Sequence, residues 1–415
     1  MPSRRTITGL TAWAALGLVA GADAPAREAT APVLNATRAA LKAEGTVRVV
    51  CFGDSVTGLY YHTGGRRTYT DMLGIALRTA YPGADVSTIN AGISGNTTRD
   101  ALARIDRDVL SHKPTLVTVM FGLNDMTRVP LEDYRANLIE IVNRCRAAGA
   151  EVLLCTPNNV ITTPERPVER LLTFCDEVRA CGRRLDVPVC DVYAALESRR
   201  EHDPLAWRLG MSDQIHPNMN GHQRIAEAIA RAITGAAVKL ADVPLPSPLL
   251  PTVAARLKAG QPIRVLAMPP MNDLLAPAFL AEAPDANLKV TTWPTAGKTL
   301  PDLEQDAKTR VRPLAPDLVV LAIPRASKAS TQESFIYSYA WTMNWSLSFG
   351  ESRWDCVVVH PSVFAADPSS AADDDLVRRL VRAQDLPLID RPPGDDRPAA
   401  EILRAWFHQP PWQSE

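Results

Sequence analysis

The chain has 415 residues, a length that suits about two domains, with 46% hydrophobic and 22% charged residues. That balance belongs to an ordinary globular protein and excludes a disordered or fibrous one. A formal net charge of −1 supplies none of the basic surplus that nucleic-acid binding requires, so no nucleic-acid partner is expected.

Arg4-Arg5 precedes a small, apolar stretch from Ile7 to Ala20, followed by Ala20-Gly-Ala22 and Ala22-Asp-Ala24. This is the layout of a secretory signal with an A-x-A cleavage site, and the arginine pair gives it a twin-arginine cast. Residues 1–32 are therefore expected as a leader that sends the protein to the periplasm or outside the cell. The apolar run is too short for a membrane span, and no cysteine near the cleavage point provides a lipid anchor.

Residues 33–236 alternate between strand-like and helix-like runs. Val33 to Ala43 reads as a short helix. Val47-Arg-Val-Val-Cys-Phe52 is a β-branched apolar run of the kind buried in parallel sheets, and Gly53-Asp54-Ser55 follows it directly. Thr68 to Tyr81 is an amphipathic helix. Asp85 to Ile89 is a second strand, followed by Asn90-Ala-Gly-Ile-Ser-Gly-Asn96, and Thr97 to Leu110 is another helix. Leu116 to Phe121 is a third strand, followed by Gly122-Leu-Asn-Asp125. Leu131 to Ala148 is a helix that ends at Gly149, a C-cap signal. Glu151 to Thr156 and Val187 to Val192 give the fourth and fifth strands on either side of a helix from Glu169 to Leu185. A helix from Asn218 to Ile233 closes the region. Strands alternating with helices of this length predict a parallel sheet.

The chemistry lies at the strand ends. A serine at the C-terminal edge of a parallel strand projects into the crevice where open α/β sheets bind ligands. Its hydroxyl needs a base, and a histidine oriented by a carboxylate supplies one, in any order along the chain. Asp213-Gln-Ile-His216 places both partners within one turn. Acyl transfer also needs donors for the developing oxyanion, and the Gly92 N–H and the Asn124 amide stand at neighbouring strand ends.

These four blocks, in this order, resemble the SGNH hydrolases, or GDSL-type esterase/lipase family, over about residues 45–236. The first block reads Gly-Asp-Ser-Val where the family has Gly-Asp-Ser-Leu, a conservative change. The resemblance implies Ser55 as nucleophile and, through its own N–H, first oxyanion donor. It further implies Gly92 and Asn124 as the other oxyanion donors, His216 as general base and then acid, and Asp213 as its orienting carboxylate. The implied fold is a flavodoxin-like three-layer α/β/α sandwich with a parallel sheet, and no cofactor or metal is implied. The activity expected is ester hydrolysis on a small-molecule or polysaccharide substrate. Carbohydrate O-acetyl esters lead, with a lysophospholipase- or thioesterase-type acylhydrolase as the alternative. Two other classes stay open: a metal-dependent phosphoesterase with Asp54, Asn124, Asp213 and His216 as ligands, and a non-catalytic binding protein.

Around the site, Tyr60, His62 and Asn96 are candidates to touch substrate, on loops beside the crevice. Asp54 is expected to brace its turn, and Asn96 and Asp125 to support the oxyanion loops. His222 is expected at the surface or as a cap. All seven cysteines are expected as buried thiols, though Cys175–Cys181 or Cys155–Cys190 disulfides stay open; no spacing suggests zinc.

Residues 237–252 are proline-rich and read as a semi-rigid linker. Beyond it, 253–415 echo the first region element by element. Leu257 to Leu266 aligns without gaps on Leu41 to Val50, Ala315 to Leu321 echoes Lys113 to Val119, and Leu386 to Asp390 echoes Val187 to Asp191. Trp354 to His360 fits the fourth strand. A second, smaller α/β domain of similar topology is expected, by internal duplication. Its chemistry is missing: Pro269-Pro-Met271 stands in the nucleophile position, Ile323-Pro-Arg-Ala326 in place of Gly-Leu-Asn-Asp, and only Gly297 survives. The aromatic segment Phe335 to Trp345 is either a helix buried on the sheet or a face for a carbohydrate or partner.

Overall fold

The computed structural model describes residues 33–348 and 353–413; the leader expected over 1–32 lies outside the described residues. The first sheet comprises β1 (Thr46–Gly53), β2 (Asp85–Gly92), β3 (Leu116–Met120), β4 (Glu151–Cys155) and β5 (Val189–Cys190), all parallel, in the order β2-β1-β3-β4-β5. Its helices are α1 (Asn35–Lys42), α2 (Tyr69–Ala80), α3 (Thr98–Asp108), α4 (Asp125–Arg128), α5 (Leu131–Ala147), α6 (Val168–Leu185), α7 (Val192–His202), α8 (Pro204–Arg208) and α9 (Met219–Thr234). Helices α1, α2 and α9 pack together as one group, and α3, α5 and α6 as another, giving the α/β/α arrangement. This flavodoxin-like order reverses direction between β1 and β3, which opens a crevice at their C-terminal ends.

Local sequence explains the boundaries. The β1 residues from Val49 to Gly53 are all buried, as a central parallel strand requires. Thr68 with Asp71 and Thr97 with Asp100 form capping boxes that start α2 and α3. The fifth strand is shorter than the expected 187–192. Pro188 has no N–H to pair, and the Asp191 carboxylate accepts from the Ala194 N–H and starts α7 instead.

Residues 235–250 carry no helix or strand, and α10 (Pro251–Lys258) begins the C-terminal half. Its sheet comprises β6 (Ile263–Ala267), β7 (Leu288–Thr292), β8 (Leu318–Leu321), β9 (Asp355–Val359) and β10 (Leu388–Ile389), again all parallel, in the order β7-β6-β8-β9-β10. Helices α11 (Met271–Leu280), α12 (Leu300–Leu314), α13 (Gln332–Trp345), α14 (Ala371–Ala383) and α15 (Ala399–Phe407) surround it. The aromatic segment is α13. It buries Ile336, Tyr339 and Met343 in the core and leaves Phe335, Tyr337, Trp341 and Trp345 half-buried.

Each half has its own apolar core, but Tyr61 and Leu209 of the N-terminal half belong to the core of the C-terminal one. No helix among the described residues is long and apolar enough to cross a membrane.

Candidate active site

The turn after β1 is fixed by steric necessity and by one buried cation. A Cβ on Gly53 would lie 2.0 Å from Thr57 Oγ1 and 2.8 Å from the Met120 carbonyl, so only glycine fits. Arg104, buried on α3, donates to the Gly53 carbonyl (2.9 Å), the Ala91 carbonyl (2.9 Å) and Asn96 Oδ1 (2.7 Å). It ties the ends of β1 and β2 to the following loop. Asp54 accepts from the Val56 N–H at 2.9 Å, and burial raises its carboxyl to about 6. Its observed contact is the turn brace.

The partner segment lies between α8 and α9. Ser212 N–H donates to the His216 carbonyl (2.9 Å) and Asn158 Nδ2 to the Ile215 carbonyl (2.9 Å). Asp213 Oδ1 accepts the Ile215 and His216 N–H groups, each at 2.8 Å. Asp213 Oδ2 accepts His216 Nδ1 (2.8 Å) and the Tyr61 hydroxyl (3.1 Å). The other imidazole nitrogen, His216 Nε2, is 2.9 Å from Ser55 Oγ. Ser55, His216 and Asp213 thus form one continuous hydrogen-bonded chain. With Nδ1–H directed at the carboxylate, Nε2 is left to accept the serine proton.

Burial alone would push the Asp213 carboxyl up. The charge of His216 and the hydrogen bonds from His216 and Ile215 outweigh it and hold the group well below the usual carboxylate range. For His216 burial lowers the pKa, but the charge and hydrogen bond of Asp213 prevail, so it lies above the ordinary histidine value.

A second imidazole lies under the first. His62 is fully buried, stacked on His216 with centroids 4.8 Å apart and planes at 4°, and its Nε2 donates to the Ser55 carbonyl at 3.0 Å. Burial and the neighbouring His216 lower its pKa to about 3, so it stays neutral. A substrate-touching role for His62 is corrected by this burial: the ring is behind His216, not in the crevice. His222 is likewise fully buried, not at the surface. Its Nδ1 accepts from the Tyr69 N–H (2.9 Å), the first residue of α2, and burial lowers its pKa well below the histidine norm.

The donors at the other strand ends are arranged differently from expectation at one position. The Gly92 N–H already donates to Asn90 Oδ1 (2.9 Å), and a Cβ there would be 2.2 Å from the Gly58 nitrogen. Gly92 packs against the Thr57–Gly58 backbone and offers no free donor. Gly95, three residues on, is in the left-handed region (φ +76) with open space beside its Cα. The N–H groups of Gly95 and Ser55 make no hydrogen bond to any described residue. Asn124 Nδ2 donates one hydrogen to the Asn96 carbonyl (3.0 Å), leaving its second. Asn96 acts through this carbonyl and through Arg104. Tyr60 is half-buried, its hydroxyl accepting from the Ser94 N–H (2.8 Å). Asp125 accepts from Thr98 N–H (2.8 Å) and Oγ1 (2.6 Å), which supports the Asn96 loop from below.

Tyr61, Arg104 and Arg166 were not singled out by sequence. Arg166 donates to the Leu123 carbonyl (3.1 Å), and its positive charge acts on both Asp54 and His216. All seven cysteines are free and buried, with no disulfide. Among the described residues no cluster of His, Cys, Asp and Glu is arranged to hold a metal. Asp213 in particular spends both oxygens on four donors. A cavity of about 660 Å³ lined by Arg199, Arg224, Arg379 and Arg382 is separate and includes neither Ser55 nor His216.

An open parallel sheet of this order, with a serine–imidazole–carboxylate chain at the ends of its strands, presents the groups of a serine hydrolase in the crevice. Residues 51–224 match the GDSL-like lipase/acylhydrolase family. An acetylxylan esterase of Geobacillus stearothermophilus is 31% identical over 172 residues, 38% of this chain and 76% of that protein. An arylesterase of Vibrio mimicus is 27% identical over 161 residues, 36% of this chain and 72% of that protein. The crystal structure of a lipase/acylhydrolase from Enterococcus faecalis, 28% identical, covers 47% of this chain and 98% of its own, with a TM-score of 0.41. The chain belongs to the GDSL-like lipase/acylhydrolase family through its N-terminal half, and it is an ester-hydrolysing enzyme.

Proposed function

We propose that the protein is an exported serine esterase that removes small acyl groups, acetyl above all, from a carbohydrate. The hydrogen-bonded chain from Ser55 Oγ through His216 to Asp213 carries this reading. Ser55 Oγ attacks the ester carbonyl carbon while its proton passes to His216 Nε2. The developing oxyanion is met by the N–H groups of Ser55 and Gly95 and the second Asn124 amide hydrogen, Gly95 replacing Gly92 in this role. His216 then gives its proton to the departing alcohol oxygen as the C–O bond breaks. Water, activated by His216, hydrolyses the acyl-enzyme. The acetylxylan esterase relative supports the acyl group and the sugar, and the leader-like residues 1–32 support export.

The metal-dependent phosphoesterase reading loses its support at Asp213, whose oxygens are filled by N–H and O–H donors.

The domain organisation belongs to the same proposal: residues 33–236 carry catalysis, 237–252 link, and 253–415 are a duplicated, catalytically silent copy. Identical strand orders support the duplication.

Ser55→Ala should lower turnover of p-nitrophenyl acetate by about 10⁴-fold or more, and abolish labelling by a fluorophosphonate probe. Full activity in that variant would overturn the mechanism. Acetylated xylo-oligosaccharide turned over more slowly than p-nitrophenyl esters of long acyl chains would instead favour the acylhydrolase alternative.

A further inference from the structure

The C-terminal half reaches the Asp213–His216 segment through a closed set of buried side chains. Gln384, the residue that ends α14, donates from Nε2 to the Tyr61 carbonyl (2.7 Å) and to Asn344 Oδ1 (2.6 Å). Asn344, on α13, accepts from Ser212 Oγ (3.1 Å), and its Nδ2 lies 3.5 Å from the Ser212 carbonyl. Asn344 is 0%, Gln384 1% and Ser212 2% exposed, so none of these groups has water to fall back on. A buried network of this kind is high-stakes, because losing one member strands the others.

The network has two outlets. One is Ser212, the residue before Asp213. The other is Tyr61, whose hydroxyl donates to Asp213 Oδ2, the oxygen that also holds His216 Nδ1–H. Burial and the Asp213 charge push the Tyr61 phenol far above its usual range, so it remains a donor. Its ring lies 5.7 Å from Trp341 of α13 and edge-on to His216 at 6.3 Å. The backbone beside it is locked to the same half: a Cβ on Gly64 would sit 2.6 Å from the Gln384 carbonyl, and Arg67 makes a bidentate, buried ion pair with Asp385 at 2.7 and 2.8 Å.

We propose that Gln384 and Asn344 are positioning residues for Asp213 and His216, acting through Ser212 and Tyr61, so that the C-terminal half is a working part of the active site. The proposal rests on the roles given above to Asp213 and His216. Its logic is geometric: a base misplaced by about 1 Å costs on the order of 100-fold in rate.

The test uses the full chain, with kcat, KM and the pH profile of kcat/KM on p-nitrophenyl acetate, beside circular dichroism and melting temperature. Gln384→Ala should lower kcat about 10- to 100-fold with KM within about two-fold. Tyr61→Phe, which removes a single oxygen, should lower kcat about ten-fold. It should also move the acid limb to higher pH: an Asp213 carboxylate with one donor fewer holds the proton on His216 more tightly, and a protonated His216 is no base. The double variant should cost less than the two effects combined, since both act through one path. Glu333→Gln weakens the Arg208–Glu333 pair across the same interface and removes no member of this path, and should leave kcat and the acid limb unchanged.

A folded Gln384→Ala protein with unchanged kcat and acid limb would overturn the proposal, as would Tyr61→Phe with a wild-type profile. Should Gln384→Ala fail to fold, Tyr61→Phe decides alone. Loss of activity in Ser55→Ala beside wild-type behaviour in these variants sinks this proposal only. An active Ser55→Ala protein sinks the serine mechanism, and this proposal with it.

Discussion

The two halves of the molecule share a scaffold and part ways at the C-terminal ends of their strands. Both sheets run in the same order, and the shared features go deeper than topology. Glu151 at the start of β4 accepts the Ala36 and Thr37 N–H groups of α1; Asp355 at the start of β9 accepts the Thr252 and Val253 N–H groups of α10. Arg179 grips Asp191 after β5 as Arg378 grips Asp390 after β10. Lys113 and Ala315, both in the left-handed region, precede a proline and the third strand; Asp186 and Asp385 do the same before the fifth. A non-glycine residue held there costs roughly 1 kcal/mol, and its recurrence at matching sites supports the proposed duplication.

At the strand ends the likeness stops. Gly53-Asp54-Ser55 is matched by Pro269-Pro270-Met271, with Met271 wholly buried, and the Asn124 region by Arg325, which pairs with Asp374 at 2.7 Å. In the C-terminal half, packing and an ion pair occupy these positions. The comparison teaches that fold and function occupy different residues: the devices that shape the sheet lie at strand starts and helix caps, and the chemistry lies at strand ends.

Asp213→Asn should remove the chemistry from the first half and leave its fold. An amide at this position cannot hold the Nδ1–H tautomer of His216, and kcat should fall about 10⁴-fold. Asp390→Asn, which weakens the Arg378 pair in the second half, should change stability by about 1 kcal/mol and leave kcat alone. Rates and chemical denaturation of both variants check this. Should Asp213→Asn unfold the protein, the separation of fold from chemistry breaks.

How far sequence reached follows the same division. Ser55, Asn124, Asp213 and His216 each stand beside a run whose strand or helix character is local, and the structure joins Ser55, His216 and Asp213 by hydrogen bonds. Helices α7 and α8 were missed, because Val187 to Val192 looks like a strand, and only the capping role of Asp191 shows that it ends early. Gly92 ends β2 and Gly95 lies three residues on; only the Asn90 side chain, folded back on the Gly92 N–H, separates them as donors, and no local pattern shows that contact. Tyr61 and Gln384 were illegible. Their partners are 152 and 323 residues away, and no local pattern encodes such a contact.

The ends of the third strand in each half offer the next test. Asn124→Ala should cost about 100- to 1000-fold in kcat, the loss of one oxyanion donor, with little change in stability. Arg325→Ala, after β8, should do the reverse. It strands the largely buried Asp374 carboxylate, destabilises the protein by on the order of 1–3 kcal/mol, and leaves turnover intact. Kinetics and melting curves on the pair measure how cleanly the two roles have separated. A loss of turnover in Arg325→Ala would mean that the second crevice is coupled to the first.

The smallest expected effect is also the sharpest comparison. Thr97 with Asp100 and Thr299 with Asp302 build the same capping box on α3 and α12, each threonine hydroxyl accepting from the N–H three residues on while the aspartate reaches back. Removing such a cap costs about 1 kcal/mol, so Thr97→Ala and Thr299→Ala should lower stability in urea by similar amounts. Their kinetic effects should differ. Thr97 follows Asn96, whose carbonyl holds Asn124 Nδ2, and precedes Thr98, which is bonded to Asp125. Fraying the start of α3 therefore loosens an oxyanion donor, and kcat should fall several-fold in Thr97→Ala. Thr299 follows Lys298, whose ammonium pairs with Asp306 on α12, and no part of the Ser55–His216–Asp213 chain touches it. Equal losses of stability with a drop in kcat confined to Thr97→Ala would place the boundary between scaffold and chemistry within one helix cap. Equal losses of both would erase it.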